Sequence, residues 1–286
     1  MNPRRVWHIG IICAWAIIFM SLPVAMRNGA SVHMVSAQDV ASDAQGMRVS
    51  PQWDGTYRRI RAPILMYHYV SELPFDADDI RRGLTVTPAQ FRSHLDMLFY
   101  EGYTPISLYD LHDALLTGRT LPAKPVVLTF DDGHLDAYTQ AFPLLREYGF
   151  TATFFIITGF ADRNYVDHLS WAQIREMADA GMSMEAHTKT HSELDGRTYD
   201  FLVYEVLGSL ESLAYYTGRQ PYMFSYPVGR YDAETLRVMG QTEVWRAVTT
   251  ERSYTITTDN RLQVPRIRVP GGATAAQLLA ILQASE

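Results

Sequence analysis

The chain has 286 residues, 47% of them hydrophobic and 20% charged, which suits one globular domain with a full core and short extensions. Its formal net charge of −6 argues against a general polyanion binder, so nucleic acid is not an expected partner. Cys13 is the only cysteine, which excludes an intrachain disulfide and a cysteine metal cluster.

Arg4 and Arg5 precede an apolar run from Val6 to Leu22, and no acidic residue appears before Asp39. A basic start followed by an apolar core predicts an export signal, with the small residues Val35-Ser36-Ala37 as a cleavage point. The run also approaches the lower limit of about 17 residues for a membrane span. Residues 1–37 therefore read as a signal peptide or as an uncleaved signal anchor. Both place the remainder outside the cytoplasm, secreted or anchored at the cell envelope, with membrane contact confined to this segment. Residues 38–60 are polar without a sustained period and read as a linker or lead-in, and residues 61–286 as the folded domain.

Residues 64–67 form the first predicted strand. Thr87-Pro88 opens a helix as N-cap and first position, with Phe91, Leu95, Leu98 and Phe99 on one face. A second helix covers 108–116 and stops at Gly118. Residues 126–130 are continuously apolar, as in a strand covered on both faces. A helix over 137–148 and a strand over 152–157 complete a βαβ unit, which predicts a parallel sheet. Ser170 with Gln173 forms a capping box for the next helix. A strand at 182–186 and a long helix over 199–217 follow, the latter turning Leu202, Val206, Leu210 and Leu213 inward. Short strands near Phe224, Ala247 and Val264, and helices near Glu234 and Ala275, close the pattern. The fold class is α/β, and the element count accommodates a barrel.

Two motifs carry chemistry. Asp131-Asp132-Gly133 directly follows the 126–130 strand, where parallel α/β folds gather their sites. Adjacent carboxylates there are costly without a positive partner, although Asp-Gly is also a common turn pair. His187 and His191 lie four apart just after the 182–186 strand, a spacing that suits divalent-metal ligation, although paired histidines are also ordinary surface or core residues. Both motifs end strands, so both can meet at one edge. Two histidines and one aspartate would leave a coordination position open for water, as catalytic sites do.

Thr129-Phe130-Asp131-Asp132-Gly133 followed by His187-Thr188-Lys189-Thr190-His191 resembles the paired signature of the polysaccharide deacetylases, carbohydrate esterase family four, and the likeness covers residues 62–269. Pro63-Ile64-Leu65-Met66-Tyr67-His68 and Phe224-Ser225-Tyr226-Pro227-Val228-Gly229 resemble the branch that includes deacetylases of biofilm poly-N-acetylglucosamine. The resemblance implies a distorted (β/α) barrel with about seven parallel strands. It implies metal-dependent hydrolysis of N-acetyl groups from an extracytoplasmic N-acetylglucosamine-containing polysaccharide, by a chain expected to be monomeric. Asp132, His187 and His191 match the metal ligands, with zinc expected and cobalt, manganese or nickel as alternatives. Asp131 matches the base that deprotonates a metal-activated water, and the backbone N–H of Val228 matches the oxyanion donor.

Two departures from the family pattern stand out. Ser225 occupies the place of an arginine that orients the base, and Arg266 or Arg268 is expected to supply that charge. The late Leu-x-His motif is absent, and His68, ending the first strand, is the expected replacement for its general acid. The aromatic residues Tyr67, Tyr69, Trp171, Tyr226 and Tyr231 lie near strand ends as candidate sugar contacts or core residues. His134 is a neighbour of the Asp-Asp-Gly turn and lies outside the expected site. Two further readings of the chain are an O-acetyl esterase acting on xylan and a sugar-binding module without turnover.

Overall fold

The computed structural model describes residues 47–284, so the export-signal expectation for residues 1–37 and the start of the lead-in lie outside the described residues. Residues 47–58 carry no regular element, but they are tied down: the Asp54 N–H and the Arg58 guanidinium donate to carbonyls at the end of the Leu108–Thr117 helix. Arg59–Arg61 then pairs antiparallel with Thr255–Thr257.

The main sheet has seven strands along one path: β1 (Ile64–Tyr67), β2 (Pro125–Phe130), β3 (Thr153–Ile156), β4 (Ser183–Ala186), β5 (Met223–Ser225), β6 (Arg246–Val248) and β7 (Ile267–Arg268). The spatial order is β6-β5-β4-β3-β2-β1-β7, and every pairing along it is parallel. The sheet curls so that its two ends approach. Val264 bridges Val248 on β6, and three residues later Ile267 and Arg268 pair with Leu65 and Met66 on β1. Pro265 stands between those contacts and has no N–H to offer a ladder, so the barrel closes through an interrupted seam. The fold is thus α/β with a curled parallel sheet of seven strands, consistent with the expected distorted (β/α) barrel.

Alternation along the strands sorts side chains to two faces. Leu65, Leu128, Phe154, Phe224 and Ala247 pack outward under the helices. Ile64, Val127, Phe155, Met223 and Val248 fill the inside of the curl, where Leu108, Leu111 and Leu115 of a helix plug the end near the strand starts. The helices begin where the sequence signals them. Pro88–Tyr100 (α1), Leu108–Thr117 (α2) and Trp171–Asp179 (α4) start from Thr87, Ser107 and Ser170 in complete capping boxes. The predicted helix over 137–148 is split. Pro143 cannot donate to the carbonyl of Thr139, and the Phe142 N–H reaches instead to Ala137, so a wider π turn over Ala137–Ala141 precedes Phe142–Tyr148 (α3). Tyr199–Thr217 (α5) covers β4, and Ala233–Met239 (α6) and Ala275–Gln283 (α7) complete the outer layer. Among the described residues, no helix is long and apolar enough to cross a membrane.

Candidate active site

The alternation that turns Ile64, Val127, Met223 and Val264 into the inner cluster continues to the opposite end of the same strands. There it presents His68, Asp131, Ser225 and Arg266 around one mouth. The site lies where strands end, as expected of this architecture.

Asp131 is gripped by a single arginine. Arg266 Nη1 lies 2.7 Å from Oδ1 and Nη2 lies 2.6 Å from Oδ2, a two-pronged pair with both side chains buried. The remaining donors of Arg266 reach Ser225 Oγ, Thr129 Oγ1 and the carbonyl of Thr249, and the Ser225 hydroxyl also donates to Asp131 at 3.3 Å. Burial pushes the Asp131 carboxyl upward, but Arg266, with smaller contributions from His187 and His68, draws it down to about 2. Arg266 thus supplies the charge beside Asp131 that Ser225 cannot, whereas Arg268 is exposed.

Asp132, His187 and His191 converge as the sequence anticipated, with their ligand atoms all within 4.8 Å of one another. Asp132 Oδ1 is 3.3 Å from His187 Nε2 and 3.2 Å from His191 Nε2. His187 Nδ1–H donates to the carbonyl of Ser225 at 2.7 Å, which turns Nε2 toward the carboxylate. Asp132 Oδ1 is buried and has no hydrogen-bond partner. A carboxylate oxygen facing two imidazole nitrogens needs a shared proton or a cation between them. Ligand bonds of 2.0–2.2 Å in a tetrahedral site set ligand–ligand edges of roughly 3.3 Å, so the residues fit a divalent metal. Burial opposes ionisation of Asp132, yet the hydrogen bond from His134 and the neighbouring imidazoles of His187 and His191 hold it well below the usual carboxylate range. His187 is 2% exposed and His191 32%, so the cluster opens to solvent on the His191 side.

Backbone strain concentrates here. Among the described residues, the non-glycine positions with left-handed φ are Asp132 (74°), Asn164 (52°), Thr188 (64°), His191 (62°) and Val228 (58°), four of which belong to the two motifs and the predicted oxyanion turn. For branched Thr188 and Val228 that conformation is costly and requires support from the surrounding structure. The support for the histidine loop comes from Glu205 on α5, which accepts from the Lys189 and Thr190 N–H groups and the Thr190 hydroxyl. Glu205 is a residue the sequence reading passed over. Its position on the buried stripe beside Leu202 and Val206 was the available signal. The Val228 N–H makes no hydrogen bond among the described residues.

His68 is half-buried, and its ring likewise makes no hydrogen bond among the described residues. Burial lowers its pKa to about 4 despite the opposing pull of Asp131 and Asp132. Of the aromatic candidates, Tyr67 and Tyr226 are core residues, bonded to His94 and to the carbonyl of Leu262. Trp171 stacks on Tyr216, and Tyr231 packs beside Tyr226.

Comparison with known proteins agrees with this geometry. The family model for polysaccharide deacetylase matches residues 118–246. The chain is 32% identical over 231 residues to YxkH of Bacillus subtilis, a protein named for the same family, covering 81% of this chain and 79% of YxkH. It is 23% identical over 269 residues to a poly-beta-1,6-N-acetyl-D-glucosamine N-deacetylase of Staphylococcus aureus, covering 90% and 91% of the two chains. The deacetylase PplD of Streptococcus pyogenes, solved with acetate, superimposes with a TM-score of 0.73 at 29% identity over 79% of this chain and all of PplD. With both motifs in place on a matching fold, this chain belongs to the polysaccharide deacetylase family.

Proposed function

We infer that this protein removes N-acetyl groups from an N-acetylglucosamine-containing polysaccharide at the cell envelope, with a divalent metal, zinc in the first instance, held by Asp132, His187 and His191. The observation that carries the reading is the buried Arg266–Asp131 pair beside that triad, because it keeps a second carboxylate ionised within the same mouth. The basic, apolar N-terminus supports export, and the likeness to a poly-beta-1,6-N-acetyl-D-glucosamine N-deacetylase supports the substrate class.

A bound divalent cation supplies Lewis acidity toward water and the acetyl carbonyl. Asp131 accepts the proton of the attacking water, and Arg266 fixes its two oxygens so that the carboxylate cannot swing away. The Val228 N–H, presented by the turn at Pro227–Gly229, donates to the oxyanion that forms at the acetyl carbon. His68 completes the cycle as proton carrier. Neutral at rest because burial lowers its pKa to about 4, it takes up the proton that Asp131 removed from water and passes it to the departing amine, which holds protons far more tightly.

The test uses the full chain loaded with Zn²⁺ or Co²⁺ and incubated with β-1,6-linked N-acetylglucosamine oligomers, chito-oligosaccharides and acetylated xylan. Mass spectrometry is expected to show loss of acetyl groups from the N-acetylated oligomers, and D131N is expected to abolish it. Acetyl loss from xylan alone would reassign the protein as an O-acetyl esterase. Sugar binding without loss from any substrate would leave only a binding module.

A further inference from the structure

His134 follows the Asp131-Asp132-Gly133 turn and has no part in the chemistry above. Its Nε2 lies 3.2 Å from Asp132 Oδ2, the carboxylate oxygen not shared with the two ligand histidines. A carboxylate only accepts, so the imidazole donates through Nε2–H.

His134 is 8% exposed and its ring packs against two others. Tyr69 stacks on it with centroids 3.8 Å apart and planes at 22°, and His168 lies tilted against it at 4.8 Å. Both neighbours are anchored in turn. The Arg81 guanidinium lies 3.2 Å over the Tyr69 ring, and His168 Nδ1 is 2.8 Å from Asp167 Oδ1, with Phe160 edge-on at 4.6 Å. The backbone fixes the same residues, since the Leu135 N–H donates to the Asp167 carbonyl and the Leu169 N–H to the Gly133 carbonyl. Asp132 itself sits at a left-handed φ of 74°. Its carboxylate is thus set by what grips Oδ2, and the grip comes from a ring that cannot turn without dismantling the stack.

We propose that His134 is a positioning residue whose Nε2–H fixes the Asp132 carboxylate so that Oδ1 faces His187 and His191 before a metal arrives. The proposal rests on the reading of those three residues as a metal centre. Partners that orient metal ligands from behind typically matter about 10–100-fold in metal affinity.

Dissociation constants for Zn²⁺ and Co²⁺ are measured by chelator competition on the full chain and on H134F, H134Q and H134L, together with the Co²⁺ visible spectrum and thermal melting. H134F keeps a ring in the stack and removes the donor. It is expected to melt close to the parent, weaken both metals about 10–100-fold and alter the Co²⁺ spectrum. H134Q restores an N–H near the place of Nε2–H and is expected to recover affinity to within about threefold. H134L replaces H134F if that variant does not fold. Parent-like affinity and spectrum in a folded donor-less variant overturns the proposal. So does an H134Q as weak as H134F, which would make the role one of packing. A parent chain that binds neither metal overturns the metal-centre reading, and this proposal with it.

Discussion

At Asp131 a single guanidinium satisfies both oxygens of a buried carboxylate, and neither charge is tolerable there alone. Arg266→Met would leave the carboxylate buried and unpaired, so a stability loss of about 3–5 kcal/mol is expected, read as a lower denaturant midpoint. Arg266→Lys keeps the charge but cannot reproduce two parallel N–H bonds to one carboxylate. It is expected to retain part of the lost stability while still lowering kcat, and parent-like kcat in this variant would contradict the orienting role. This pair was legible in outline, because a basic residue in the apolar segment around Val264 and Ile267 invites a buried partner. Strand alternation does not choose between Arg266 and Arg268, because residues two apart share a face; the choice depended on which of them lies level with Asp131 once the segment after Pro265 is docked.

At the scale of elements, the histidine loop is held by its neighbours more than by its own sequence. The Gly159 N–H donates to the Lys189 carbonyl at 2.8 Å, and a Cβ at residue 159 would come within 2.3 Å of that oxygen. Gly159→Ala must therefore displace the segment carrying His187 and His191. Its expected signature is metal affinity lowered about tenfold or more with unchanged helix content, measured by chelator competition and circular dichroism. Unchanged affinity would show that the loop adapts without moving its ligands. Helices and central strands were readable from capping boxes and apolar runs, because those signals are local. The wide turn at Ala137–Ala141, the support from Glu205 and the grip of His134 were not. Each depends on which side chains a distant segment brings alongside, and in the linear text a carboxylate on a helix or a histidine after a turn looks ordinary.

Across the whole molecule, the end of the barrel opposite the site is closed largely by apolar residues, with buried His112 among them. His112 stacks on Trp245 and pairs through Nε2 with Ser50 of the lead-in. Burial, with Arg246 and Arg261 nearby, lowers its pKa to about 3 from an ordinary 6.5. The unfolded chain therefore takes up a proton that the folded chain refuses. The stability this group contributes is complete above pH 6.5 and drains away on acidification, at about 1.4 kcal/mol per pH unit. His112→Phe is expected to flatten that slope when denaturant midpoints are compared between about pH 7 and about pH 5. An unchanged slope would assign it to other buried groups.

The partner of Asp131 stands 135 residues further along the chain, beyond β6 and across the seam that closes the barrel. During synthesis, the carboxylate emerges long before the guanidinium that neutralises it. Until Arg266 docks, the Asp131 carboxylate has no counter-charge to offset its burial. A chain truncated before Val264 would lack Arg266 and leave the Asp131 carboxylate without its counter-charge, however much of the preceding sheet survives.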